Sequence, residues 1–157
     1  MTMVPLRLCV RRSDPSHPLG TDDAILMTVT VPSELDVVEH TVDIVSRHCL
    51  ACGLSLKAVR FNLRVALSEA LANAIVYGNR LDPAKSVHVA LRELDRGVEV
   101  YVQDQGQGFD PNGIPDPTRP DCIERPAGRG LFLIKELVDD LVFNEEGNSI
   151  CMTLHRA

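Results

Sequence analysis

A long apolar stripe interrupted by two polar residues constrains this chain more than anything else in it. Leu56, Val59, Leu63, Ala66, Leu67, Ala70, Leu71 and Ala74 recur at helical spacing. They predict one helix, capped by Ser55, running to about Tyr77 and stopped by Gly78-Asn79. Within it, Leu67-Ser-Glu-Ala-Leu-Ala-Asn73 puts Glu69 and Asn73 one turn apart on the same face. A carboxylate and a carboxamide in such a run are costly unless they face something polar between helix and sheet. Any fold for this chain must leave a polar compartment there. Two glycine-bracketed segments downstream, Asp104-Gln-Gly-Gln-Gly108 and Gly128-Arg-Gly-Leu131, are the candidate walls.

The rest of the chain supplies the frame. Ala24 to Val31 alternates, with Ile25, Met27, Val29 and Val31 on one side, as a strand with one buried face does. Ser33 is placed to cap a first helix carrying Leu35, Val38, Val42, Val45 and Cys49, which ends at Gly53. Ser86 to Leu94 and Val98 to Asp104 form a hairpin, and the period of two turns Asp104 inward with Val98, Val100 and Val102. The window Asp110 to Ala127 holds five of the ten prolines and no periodicity, as a hinged cover would. Gly130 to Leu141 is expected as a third helix, followed by a strand at Val142-Phe143 and another over Ser149 to His155. Residues 1–23 are either a flexible lead-in or, over Leu6 to Val10, an extra strand; residues 24–157 are a single domain. The order of elements predicts an α+β, two-layer sandwich. Its sheet is mixed but mostly antiparallel, with three helices on one face.

Composition narrows the function. A net charge of −6 argues against nucleic acid held by phosphate contacts. A bound anion then needs local dipoles or arginines. Aromatics are 4% of residues and Trp is absent, so Val, Leu, Ile, Ala and Met must build the core. Cys49 and Cys52 have no second pair to complete a zinc site, and the five scattered cysteines read as small apolar residues in a reducing compartment. No run is apolar enough to span a membrane and no signal-peptide layout is present, so a cytoplasmic protein is expected.

The three polar segments resemble the N box and the two glycine boxes of the GHKL, or Bergerat-fold, ATPases. Glu69-Ala-Leu-Ala-Asn-Ala-Ile-Val-Tyr-Gly-Asn79 is most similar to the anti-sigma-factor serine/threonine kinases of bacterial partner switching. The resemblance covers roughly Ala24 to the C-terminus. It implies an ATP lid in the proline-rich window and ATP with Mg²⁺ as cofactors. It also implies a sigma factor and a STAS-domain antagonist as partners, and a homodimer. Asn73 would be the metal ligand and Glu69 the general base that activates a serine. Asp104 would accept a hydrogen bond from the adenine amine; the competing reading is a strand-end acid capping the Gly106 turn. Gly106 and Gly108 would let backbone approach the base. Gly128, Arg129, Gly130 and Leu131 would bring free N–H groups, a helix dipole and a charge to the triphosphate. Ser149 matches a position near the phosphates or the adenine. Tyr77 stands where many relatives carry His, and lines the pocket at most. The competing function is a nucleotide-binding regulator that sequesters a partner without phosphorylating it.

Overall fold

The computed structural model describes residues 7–10, 25–107 and 126–156. Within them lie six strands: β1 Arg7–Val10, β2 Ile25–Pro32, β3 Ser86–Leu94, β4 Gly97–Gln103, β5 Asp140–Phe143 and β6 Ser149–His155. They form one sheet in the order β1-β2-β3-β4-β6-β5. Every neighbouring pair is antiparallel, so the expected mixture of directions is absent from the described strands. The cause is the last strand: β6 pairs with both β4 and β5, and so separates two strands that share a direction.

Helices cover one face. A short 3-10 turn, Leu35–Val37, leads into α1, Val38–Ala51. The long helix α2 spans residues 56–78; its middle, Arg64–Ala72, is regular, and wider π-helical turns flank it at Ala58–Leu63 and Asn73–Gly78. The third helix, α3, is Pro126–Leu137. The core lies between these helices and the inner sheet face. Met27, Val29, Val31, Val87, Val89, Leu91, Val98, Val100, Val102, Met152 and Leu154 meet Val42, Val45, Leu63, Leu67, Leu71, Ile75 and Ile134, all buried. Each large aliphatic side chain contributes about 1.5–3 kcal/mol by its burial.

Several local expectations are corrected. Ser33 caps nothing; it is buried, and its hydroxyl donates to Lys85 O at 2.7 Å. Leu35 and Leu56 leave the core stripe, at 50% and 56% exposed, because each sits in the opening turn of its helix, ahead of the packed face. Ser55 does cap α2, accepting from Ala58 N at 3.1 Å. α3 begins four residues before the expected Gly130, where Pro126, with no N–H to lose, suits a first turn. It also ends early. Asp139 N already donates to Thr153 O at 2.9 Å, which commits the following residues, Leu141 included, to β5.

The far end of the molecule is fastened by Arg156. Its guanidinium donates to Cys52 O at 2.7 Å, Leu94 O at 3.1 Å and Asp95 O at 2.9 Å, and pairs with Glu93 at 2.7 Å. One side chain thereby ties the α1–α2 junction to the β3–β4 hairpin.

Candidate functional site

The two glycine segments approach α2 at the turns that carry Glu69 and Asn73 and that follow them. α3 packs along α2, and at Gly130 it passes directly over Asn73 and Glu69. A Cβ there would lie 2.9 Å from Asn73 Nδ2 and 3.0 Å from Glu69 Oε2. Only a residue without a side chain lets α3 pass over both polar groups undisturbed. Gly128 and Arg129 lie inside the first turn of α3, not ahead of it. The N–H groups of that turn have no partner within the helix and add positive potential at this end. Leu131 is partly buried and packs on the core.

At the other end of the same helix face, the wider turn Asn73–Gly78 meets the turn that follows β4. A Cβ on Gly78 would collide with the Asp104 carboxylate, and one on Gly106 would collide with the Gly78 carbonyl oxygen. Gly78 is therefore not the left-handed residue that ends the helix. That conformation falls on Arg80 and Leu81, at φ 53° and 57°. The glycine is required because a carboxylate occupies the space.

Asp104 is fixed from both sides. Its N–H donates to Asn148 O at 2.9 Å, and its Oδ1 accepts from Gly106 N at 2.8 Å. Burial raises its carboxyl above the ordinary value, with the Gly106 N–H and the charge of Lys85 working the other way. The turn-capping role weighed above is thus real. It occupies one oxygen; among the described residues no other donor is bonded to the carboxylate. A half-buried acid with an oxygen to spare fits the amine of a purine.

Ser149 is buried and starts β6 opposite Gln103, beside this acid. Tyr77 is 50% exposed and packs into no core. Gly108 and most of the proline-rich window lie outside the described residues. Among the described residues no cluster of His, Cys, Asp and Glu is built to hold a metal. The carboxamide oxygen of Asn73 is a single neutral donor of the kind magnesium takes alongside phosphate oxygens.

Sequence reasoning passed over two residues. Gly78 was absorbed into a helix stop. Asn79, 1% exposed, joins three segments: its Nδ2 donates to Ser33 Oγ at 3.0 Å and Ser86 O at 2.9 Å, while its Oδ1 accepts from Gln105 N at 2.7 Å. A helix-ending Asn is ordinary in sequence, and only the fold reveals what it binds.

The chain matches the family described as the histidine kinase-like ATPase domain over residues 31–154. It belongs to that family. The match takes in all three segments of the site. This histidine kinase-like ATPase domain is also similar to the serine-protein kinase RsbW of Oceanobacillus iheyensis, 30% identical over 100 residues, which is 60% of this chain and 63% of the relative. The serine-protein kinases RsbW of Bacillus cereus and Bacillus anthracis are each 28% identical over 99 residues, 59% of this chain and 61% of theirs. The aligned region therefore spans about three fifths of each relative. Among the described residues of the domain, no helix is long and apolar enough to cross a membrane.

Proposed function

We propose that this domain binds ATP with Mg²⁺ between α2, the turn after β4 and the start of α3, and acts as an anti-sigma-factor serine/threonine kinase. The observation that carries this reading is the double closure around one helix face: Gly130 against Glu69 and Asn73, and Gly78 against Asp104. A chamber bounded by a general base, a magnesium donor, a helix N-terminus and a recessed acid has the parts that phosphoryl transfer needs. The similarity to serine-protein kinases supports serine as the acceptor.

In this reading Asp104 orients the base by accepting from its exocyclic amine. Gly106, Gly108, Tyr77 and Ser149 line the nucleoside side, while Gly128, Arg129, Gly130 and Leu131 form the phosphate side. Asn73 offers its oxygen to the metal. Glu69 takes the proton from the attacking serine hydroxyl and so raises its nucleophilicity. When bound, ATP supplies the phosphoryl group and the metal balances its charge. The acceptor is a STAS-domain antagonist, the alternative partner a sigma factor, and the working form a cytoplasmic homodimer.

Incubation with γ-labelled ATP and a purified STAS-domain antagonist protein tests the proposal. Label on an antagonist serine is the expected result. Tight ATP binding with no transfer would make the domain a nucleotide-dependent sequestering regulator instead. Absence of ATP binding would overturn both readings.

A further inference from the structure

The amide of Asn79 is engaged on every side. It is buried, spends both kinds of hydrogen-bonding group, and links segments far apart in sequence: Ser33 after β2, Ser86 at the start of β3 and Gln105 in the turn after β4. Gln105 returns the connection, its Oε1 accepting from Ser86 N at 2.8 Å. The residue before Asn79 is Gly78, which touches Asp104 and Gly106. The residue before Gln105 is Asp104. Two adjacent pairs, Gly78-Asn79 and Asp104-Gln105, are therefore held face to face, by close contact at one and by a hydrogen bond at the other.

We infer that Asn79 is a positioning residue for base recognition: it clamps the end of α2 to the turn after β4, and so fixes the direction in which the Asp104 carboxylate meets a six-amino purine. The inference rests on the proposed role of Asp104 as adenine acceptor. Asn79 does not itself touch the nucleotide. Its chemistry is specific to the task, because the clamp needs two donors and an acceptor on one short side chain. Aspartate lacks the donors, serine lacks the reach, and glutamine is a methylene too long for a closed site.

Its loss has a distinctive consequence. A residue that only stabilises the fold weakens all nucleotides alike, whereas one that aims Asp104 weakens only those with an amine to recognise. The measurement is the ratio of affinities for ATP and for purine riboside triphosphate, which lacks the six-amino group, by calorimetry on the full chain. The wild type should favour ATP by about tenfold or more, as expected for a hydrogen bond to a charged acceptor. In Asn79→Ala this preference should collapse to within about threefold of unity. In an Asp104→Ala background the same substitution should change the ratio no further. Equal weakening of both nucleotides, or an unchanged preference, in a folded Asn79→Ala protein overturns the inference. A wild type with no preference refutes the adenine role of Asp104 itself, which separates the two failures. If Asn79→Ala does not fold, Ser33→Ala is read in its place. It removes one acceptor of the same amide and should lower the ratio about two- to fivefold; an undiminished ratio there overturns the inference equally.

Discussion

Asp104 accepts two bonds on one carboxylate, a turn bond from Gly106 and, as proposed, a bond from adenine; both favour its ionised form, whereas its burial favours the neutral one. Burial lifts its carboxyl above the ordinary 3.8. The folded chain therefore holds this proton more readily than the unfolded one. The group's contribution to stability is greatest in acid and declines as pH rises from 3.8 through the raised value, then levels off. Adenine binding runs the other way, because the ionised form is the better acceptor. Calorimetric titration should show ATP affinity falling as pH drops through the raised value, and Asp104→Asn should remove that component. At neutral pH the same substitution should cost about 1.5–3 kcal/mol of ATP binding. Glu69→Gln should slow transfer about 10²–10⁴-fold with ATP affinity nearly intact, read by single-turnover labelling beside equilibrium binding. The inward turn of Asp104 was legible because a period of two fixes the side on which every strand residue falls. Asn79 was not, because two of its three partners, Ser33 and Gln105, lie 46 and 26 residues away and no local pattern encodes them.

Among the elements, the glycine in α3 sets local stability against function. Gly130 lies within a helix, where alanine is intrinsically better by about 0.5–1 kcal/mol. Yet a Cβ there would press on Asn73 Nδ2 and Glu69 Oε2 at about 3 Å, tighter than ordinary contact. Gly130→Ala should therefore melt no lower than wild type while losing about tenfold or more in phosphoryl transfer, since the base and the metal donor are displaced by tenths of an ångström. Parallel melting curves and labelling rates would show it; equal activity would mean the two polar tips move aside freely. The helices were legible where the apolar repeat is strong, as in the middle of α2. The start of α3, set by Pro126, was misjudged; the end of α2 falls where expected, but the wider turn at Asn73–Gly78 adds room that no 3.6-residue pattern announces.

Across the whole molecule, the order of pairing was the least legible feature. Hydrophobic alternation identifies strands but not which of them become neighbours, and the insertion of β6 between β4 and β5 is a long-range choice. Arg156 secures the far end of that arrangement. Arg156→Ala should lower unfolding free energy by about 1–3 kcal/mol through loss of several charge-assisted bonds, without altering nucleotide selectivity, as denaturant titration and calorimetry would record. The position of β6 also has a consequence in time. During synthesis the Glu69 and Asp104 segments leave the ribosome well before Ser149, yet β4 has no partner on that side, and Asp104 no Asn148 carbonyl, until β6 emerges. A nascent chain halted before that strand would contain most of the nucleotide's contacts but lack the Asn148 carbonyl and the β6 ladder that hold Asp104 from its far side. Competence for ATP should thus arrive abruptly as β6 emerges rather than by degrees.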